Sequence, residues 1–120
     1  NYQARNFLRD GMQKGDLAFL YHSSCPEPGI AGIVKIARAA YPDHTAWDPD
    51  NEHFDPKSSS ANPIWYMVDV QLERELKHPI TLTALKQNPA LKGMTLLQRG
   101  NRLSILPVTE KEWKAILKME

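Results

Sequence analysis

Residues 64–72, Ile-Trp-Tyr-Met-Val-Asp-Val-Gln-Leu, constrain this chain more than any other segment. Successive side chains of a strand point to opposite faces. The two-residue period therefore places Trp65, Met67, Asp69 and Gln71 on a mixed face, and Ile64, Tyr66, Val68, Val70 and Leu72 on an apolar one. A strand with one apolar face has to pair laterally and be covered, which commits the chain to a sheet.

Partners for that strand lie upstream. Leu17, Ala18, Phe19, Leu20, Tyr21 and His22 form a short apolar run after the turn residues Gly15 and Asp16, and read as a mostly buried strand. Pro26, Pro28 and Gly29 make the following segment a loop, because proline removes ladder donors and Gly29 supplies backbone freedom. Residues 30–40 resume an alternating pattern, so a hairpin-like pair is expected. Before it, Ala4, Phe7, Leu8 and Met12 fall at helical spacing, with Gly11 and Gly15 bracketing the end. Towards the C-terminus, residues 81–87 predict a brief helix stopped by Pro89, and residues 103–106 a short strand. Thr109 and Glu112 have capping-box spacing, which opens a helix bearing Trp113, Ile116 and Leu117 on one side. The pattern is α+β, with Phe19, Tyr66 and Trp113 as core aromatics.

Composition bounds the rest. A chain of 120 residues, 42% hydrophobic and 24% charged, fits one domain over 1–120. A domain of that size buries roughly two-thirds of its unfolded surface and needs no disulfide or metal staple. Fifteen basic residues against 14 acidic ones give no overall footprint of a duplex-binding protein. Cys25 is the only cysteine, so an internal disulfide is excluded. No apolar stretch approaches the roughly 20 residues of a membrane span, and no secretory leader opens the chain. Cytoplasmic residence is the expectation, or nuclear if the source is eukaryotic. Residues 41–63 are rich in Pro, Asp, Asn and Ser, yet hold Trp47, His53 and Phe54, the content of a loop packed down as a lid.

His44, His53 and the carboxylates of the same loop follow neither EF-hand nor His-Glu-x-x-His spacing, so no metal or other cofactor is expected. His22 and Ser23 are adjacent on a strand and face opposite ways, which leaves a hydrolase using them as the weaker alternative. A reader of a single unstacked base needs aromatic faces and a few fixed polar groups. Tyr2, Tyr21, Trp47 and Trp65 can supply the faces; Asn1, Asn6, His22, Ser23 and Ser24 can supply the polar edges. Backbone phosphates would be met by Arg5, Arg9, Lys14, Lys35 and Arg38, with Arg99 and Arg102 as a second small basic site. A small-molecule or protein-interaction module is a further alternative.

Several segments together carry a resemblance: Asn1-Tyr2-Gln3-Ala4-Arg5-Asn6 with Leu8, Gly15-Asp16, Tyr21-His22-Ser23, Pro28-Gly29-Ile30-Ala31-Gly32, Ala40-Tyr41-Pro42-Asp43, Asp55-Pro56, Pro63, Trp65, Val68-Asp69-Val70, and Leu103-Ser104-Ile105 with Pro107. The chain resembles the EVE domain, a PUA-like module of the thymocyte nuclear protein family and of many small bacterial proteins, related in fold to YTH domains. The resemblance implies a PUA-like mixed β-barrel with flanking short helices and no catalytic role. It also implies a pocket between barrel and first helix for a flipped modified base, such as 5-methylcytosine or 5-hydroxymethylcytosine in nucleic acid. Asn1, Tyr2, Tyr21, His22, Ser23 and Trp65 are the pocket positions it marks. EVE domains carry a tryptophan-bearing strand before the position of Asn1, so the first barrel strand is expected to be missing from this chain.

Overall fold

The computed structural model describes residues 2–98 and 105–120. Asn1 and the basic turn at Arg99 and Arg102 lie outside the described residues, as does the first half of the strand expected over 103–106; Ile105 and Leu106 are in no strand. The chain opens with helix α1 (Tyr2–Asn6), which continues into a π-helical turn over Phe7–Gly11. Strands β1 (Leu17–His22) and β2 (Gly29–Pro42) follow, then a 3-10 turn at His44–Trp47 and strand β3 (Tyr66–Thr81). Helix α2 (Leu82–Gln87), 3-10 turns at Pro89–Leu91 and Thr95–Leu97, and helix α3 (Glu110–Leu117) complete the described chain. The fold is α+β.

The three strands form one sheet in the order β1-β2-β3. Strand β1 runs antiparallel to β2, Leu17 opposite Lys35 and His22 opposite Gly29, with a bulge between Leu20 and Tyr21. Gly29 lies against Ile80 and Thr81, and Gly32 against Arg74 and Glu75, so β2 and β3 are antiparallel as well. The chain divides into two compact units, Asn1–Asp16 with Ile36–Gln71, and Leu17–Lys35 with Leu72–Glu120.

The second unit holds the larger core: Ile30, Leu76 and Ile80 from the sheet, Leu85 from α2, Leu91 from the first 3-10 turn after it, Met94 just before the second, and Ile116 from α3. Phe19 and Trp113 stack beside one another with centroids 3.9 Å apart. Both helices are capped by a threonine, at Thr109 as the sequence predicts and at Thr81 as well. Thr81 Oγ1 accepts from Ala84 N at 3.1 Å. The Thr109 box is reciprocal: its hydroxyl accepts from Glu112 N, and Glu112 accepts from Thr109 N.

In the first unit, the segment between β2 and β3 is ordered by short polar side chains that accept from amides two residues on. Asp43, Asp48, Asn51 and Asp55 do this to Thr45, Asp50, His53 and Lys57. Ser58 is buried and its hydroxyl accepts from Ile64 N at 2.9 Å. Phe54 is exposed, unlike the apolar residue of a packed lid.

Four expectations require correction. Strand β1 is not mostly buried: Leu17 and Leu20 are 49% and 40% exposed, because β1 is an outer strand that only β2 flanks among the described residues. Strand β3 starts at Tyr66 and runs to Thr81, well past Leu72. Its second half escapes sequence reading because Leu76 and Ile80 are embedded among charged residues and Pro79 argues against a strand; an outer strand tolerates proline. Tyr66 is only partly buried and stands apart from the core cluster, with the Arg9 guanidinium 5.9 Å from its ring centroid. Gly29, finally, belongs to β2 and has no positive φ. Glycine is required there for space, since a Cβ would sit 2.4 Å from the Ile80 carbonyl oxygen.

Gly29→Ala accordingly forces the strands apart and is expected to destabilise the fold by about 1–3 kcal/mol, the usual cost of overpacking. A urea-denaturation midpoint unchanged by the substitution would contradict so close an approach of β2 and β3.

Candidate functional site

The first unit assembles an aromatic pair from distant parts of the sequence. Tyr2 on α1 and Trp65, one residue before β3, stack with centroids 5.2 Å apart and planes 7° from parallel. Trp65 is held at three points. Its carbonyl accepts from Asp43 N at 2.8 Å, where the chain leaves β2. The preceding carbonyl, of Ile64, accepts from Arg5 Nη1 at 3.2 Å. Its indole Nε1 donates to Asp55 Oδ2 at 2.8 Å. Asp55 is itself anchored, its N donating to Ala46 O and its Oδ1 accepting from Lys57 N. The amide of Lys57 and the Trp65 indole hold the Asp55 carboxyl below the usual aspartate range.

Two arginines of the same unit lie against aromatic rings, Arg5 against Tyr2 and Arg9 against Tyr66. The Arg5 guanidinium lies 4.9 Å from the Tyr2 centroid, and its Nε donates to Asn6 Oδ1 at 2.8 Å. Arg9 donates to both carboxylate oxygens of Asp10, at 2.9 and 3.0 Å, and to Asn6 Oδ1 at 3.4 Å. The hydrogen bonding to Asp10 raises the Arg9 guanidinium above its ordinary value and lowers the Asp10 carboxyl. Sandwiching a third ring needs about 7 Å, twice the ~3.5 Å of carbon contact. At 5.2 Å Tyr2 and Trp65 leave no gap for one. A planar ligand must stack on an outer face or take the place of Tyr2, which is 55% exposed.

The other expected site residues are dispersed. Asn6 accepts from Arg5 and Arg9 as described. Trp47 is partly buried on its 3-10 turn, and its indole N–H has no partner among the described residues. Arg38 lies over the Tyr41 ring, 3.7 Å from the centroid. The Tyr41 hydroxyl donates to Asp69 Oδ1 at 2.5 Å, the leading reason its own dissociation is pushed up. Tyr21, His22, Ser23, Ser24 and Lys35 belong to the second unit. Tyr21 packs against that unit's core, and burial raises its phenol. His22, Ser23, Ser24 and Lys35 are exposed, and no hydrogen bond joins His22 to Ser23 among the described residues. No group of three His, Cys, Asp or Glu side chains could hold a metal among the described residues. Nor among them is any helix long and apolar enough to cross a membrane. An open groove of about 470 Å³ lies along Lys86, Asn88, Lys92 and Gln98, and no expected site residue lines it. The stacked aromatics carry more chemical information than this groove, whose lining is mostly lysine and amide side chains.

Sequence reading missed Asp55 as a partner of Trp65, Tyr41 as the ring beneath Arg38, and Asp69 as the acceptor for Tyr41. Asp55 looked like one of several loop carboxylates; only closure of the loop brings it under the indole.

Residues 1–119 match the family model described as the EVE domain. The chain is 50% identical to thymocyte nuclear protein 1 of Homo sapiens, an alignment that covers 100% of this chain and 56% of that protein. It thus spans about half the length of the curated relatives it matches. Among solved structures, a Pseudomonas syringae protein is similar at a TM-score of 0.92 and 50% identity, covering 99% of this chain and 79% of that one. Human THYN1 in complex with 5-methylcytosine-containing DNA is similar at a TM-score of 0.90 and 50% identity, covering 99% and 73%.

The depressed Asp55 carboxyl sets a pH dependence. A lowered folded-state value means its hold on Trp65 is fully present above the unfolded aspartate value of about 3.9. It is lost as pH falls through the lower folded value. The Trp65 indole N–H resonance should therefore hold its position from pH 8 to pH 5 and move only below about pH 4. Asp55→Ala should abolish that transition; a Trp65 transition near neutral pH would contradict it.

Proposed function

The chain belongs to the EVE domain family, and we propose that it is a non-catalytic module binding nucleic acid that carries a modified base, with the base held against the Tyr2 and Trp65 rings. In this reading residues 1–120 are one PUA-like barrel module. The observation that carries it is the stacked pair itself: Trp65 is pinned by Asp55 while Tyr2 remains half-exposed beside it. A fixed ring with a displaceable partner suits a ligand that arrives with a π-face of its own. Its exchange of one stack for another costs little.

Support for nucleic acid comes from the human THYN1 complex with DNA containing 5-methylcytosine, at 50% identity to this chain. That makes 5-methylcytosine the first base to test and 5-hydroxymethylcytosine the second. Arg5 places positive charge next to the Tyr2 ring, and Arg9 lies over the neighbouring residue of Trp65, Tyr66. Asn6 and Trp47 are the other ligand-binding candidates of this unit; Tyr21, His22, Ser23 and Ser24 form a separate candidate contact on the second.

The test is a titration of single- and double-stranded oligonucleotides bearing cytosine, 5-methylcytosine or 5-hydroxymethylcytosine, read by fluorescence anisotropy. Preference for one modified base is expected, and Trp65→Ala should remove it at a loss of about 1–3 kcal/mol, the value of one base–aromatic stack. Equal, weak binding to every oligonucleotide would overturn the reading and favour a small-molecule or protein partner. Activity lost with His22→Ala would instead point to a hydrolase.

A further inference from the structure

The arginines of the first unit are not equivalent. Arg5 spends donors on Asn6 and the Ile64 carbonyl, and Arg9 spends its own on Asp10 and Asn6. Arg38 is exposed, and among the described residues no hydrogen bond or ion pair engages its guanidinium. Its group is nevertheless placed, lying over the Tyr41 ring at 3.7 Å. Tyr41 is held in turn by the 2.5 Å hydrogen bond from its hydroxyl to Asp69 on β3.

Two carboxylates in this part of the unit already have partners. Asp69 accepts from Tyr41, and Asp43 accepts from the Thr45 amide and hydroxyl. The Arg38 guanidinium, stacked on Tyr41, is in no ion pair with either of them among the described residues. Stacking on an aromatic face fixes the plane of a guanidinium and leaves its edge donors directed outward, the fork geometry that matches two oxygens of an oxyanion. Lys35, also exposed, offers only a point charge on a flexible stem.

We propose that Arg38 grips one backbone phosphate of the bound nucleic acid, and that Tyr41 and Asp69 are positioning residues that preset its guanidinium plane. This rests on the nucleic-acid reading above and adds to it a division of labour: Trp65 senses the base, and Arg38 fixes the strand. Arg38 reads no sequence and no modification, so its contribution is the same for modified and unmodified strands.

The experiment measures binding of a 5-methylcytosine oligonucleotide and its unmodified counterpart across salt, with far-UV circular dichroism and thermal melting confirming that each variant is folded. Arg38→Ala should reduce the slope of log K against log[salt] by about one, with the preference for the modified strand intact. Arg38→Lys should keep the slope while weakening binding. Tyr41→Ala should weaken binding of the parent but have no further effect in an Arg38→Ala background, and Tyr41→Phe, which keeps the ring, should fall between Tyr41→Ala and the parent. A slope unchanged by Arg38→Ala, or Tyr41→Ala acting equally in both backgrounds, would overturn the proposal even if base preference is retained. An Arg38-dependent slope without any base preference would leave this proposal standing and sink the Trp65 reading. No binding of any oligonucleotide would overturn both.

Discussion

The hydrogen bond from the Trp65 indole to Asp55 is the interaction on which the candidate site depends. It closes the segment between β2 and β3 on itself and sets the ring's orientation just before β3 begins. Asp55 can serve because its other oxygen and its amide are already committed to Lys57 and Ala46. A charged acceptor makes this a stronger bond than a neutral one would be. What looks in sequence like an irregular stretch of Pro, Asp, Asn and Ser is a series of Asx turns, each satisfying an amide locally, and their joint result is one fixed indole.

The arginines of the first unit divide into two kinds. Arg5 and Arg9 are structural as much as electrostatic, since their donors tie α1 to the Ile64 carbonyl and to Asn6 and Asp10. Arg38 is held by stacking, which consumes none of its donors. A nearly neutral chain can bind a polyanion only by such local arrangement, because its 15 basic and 14 acidic residues cancel overall.

Much of the fold was legible, for identifiable reasons. Alternation exposed β2 and the first half of β3; the Pro89 stop delimited α2, and cap chemistry at Thr109 located α3. The second half of β3 was hidden because only Leu76 and Ile80 of that stretch are buried, a spacing of four that gives no two-residue signal. Gly29 was recognised as special for the wrong physical reason, since a close backbone approach across strands leaves no mark in one dimension. The site was legible in its parts. Tyr2, Trp65 and Arg38 were singled out by residue type, whereas the residues that position them, Asp55, Tyr41 and Asp69, emerge only when strands and turns bring them together. Positioning residues are harder to foresee than contacting ones, because their partners are set by tertiary geometry rather than by ligand chemistry.

The account turns on whether the Trp65 ring meets the modified base. The most direct measurement is a ¹⁵N-resolved NMR titration of the Trp65 indole N–H with an oligonucleotide containing one 5-methylcytosine, beside the same strand unmethylated. The account predicts a saturable shift of that resonance that is larger for the methylated strand, accompanied by changes in the Tyr2 ring signals. Saturable binding that leaves the Trp65 indole unmoved, with shifts confined to residues such as Lys86 and Lys92, would contradict it.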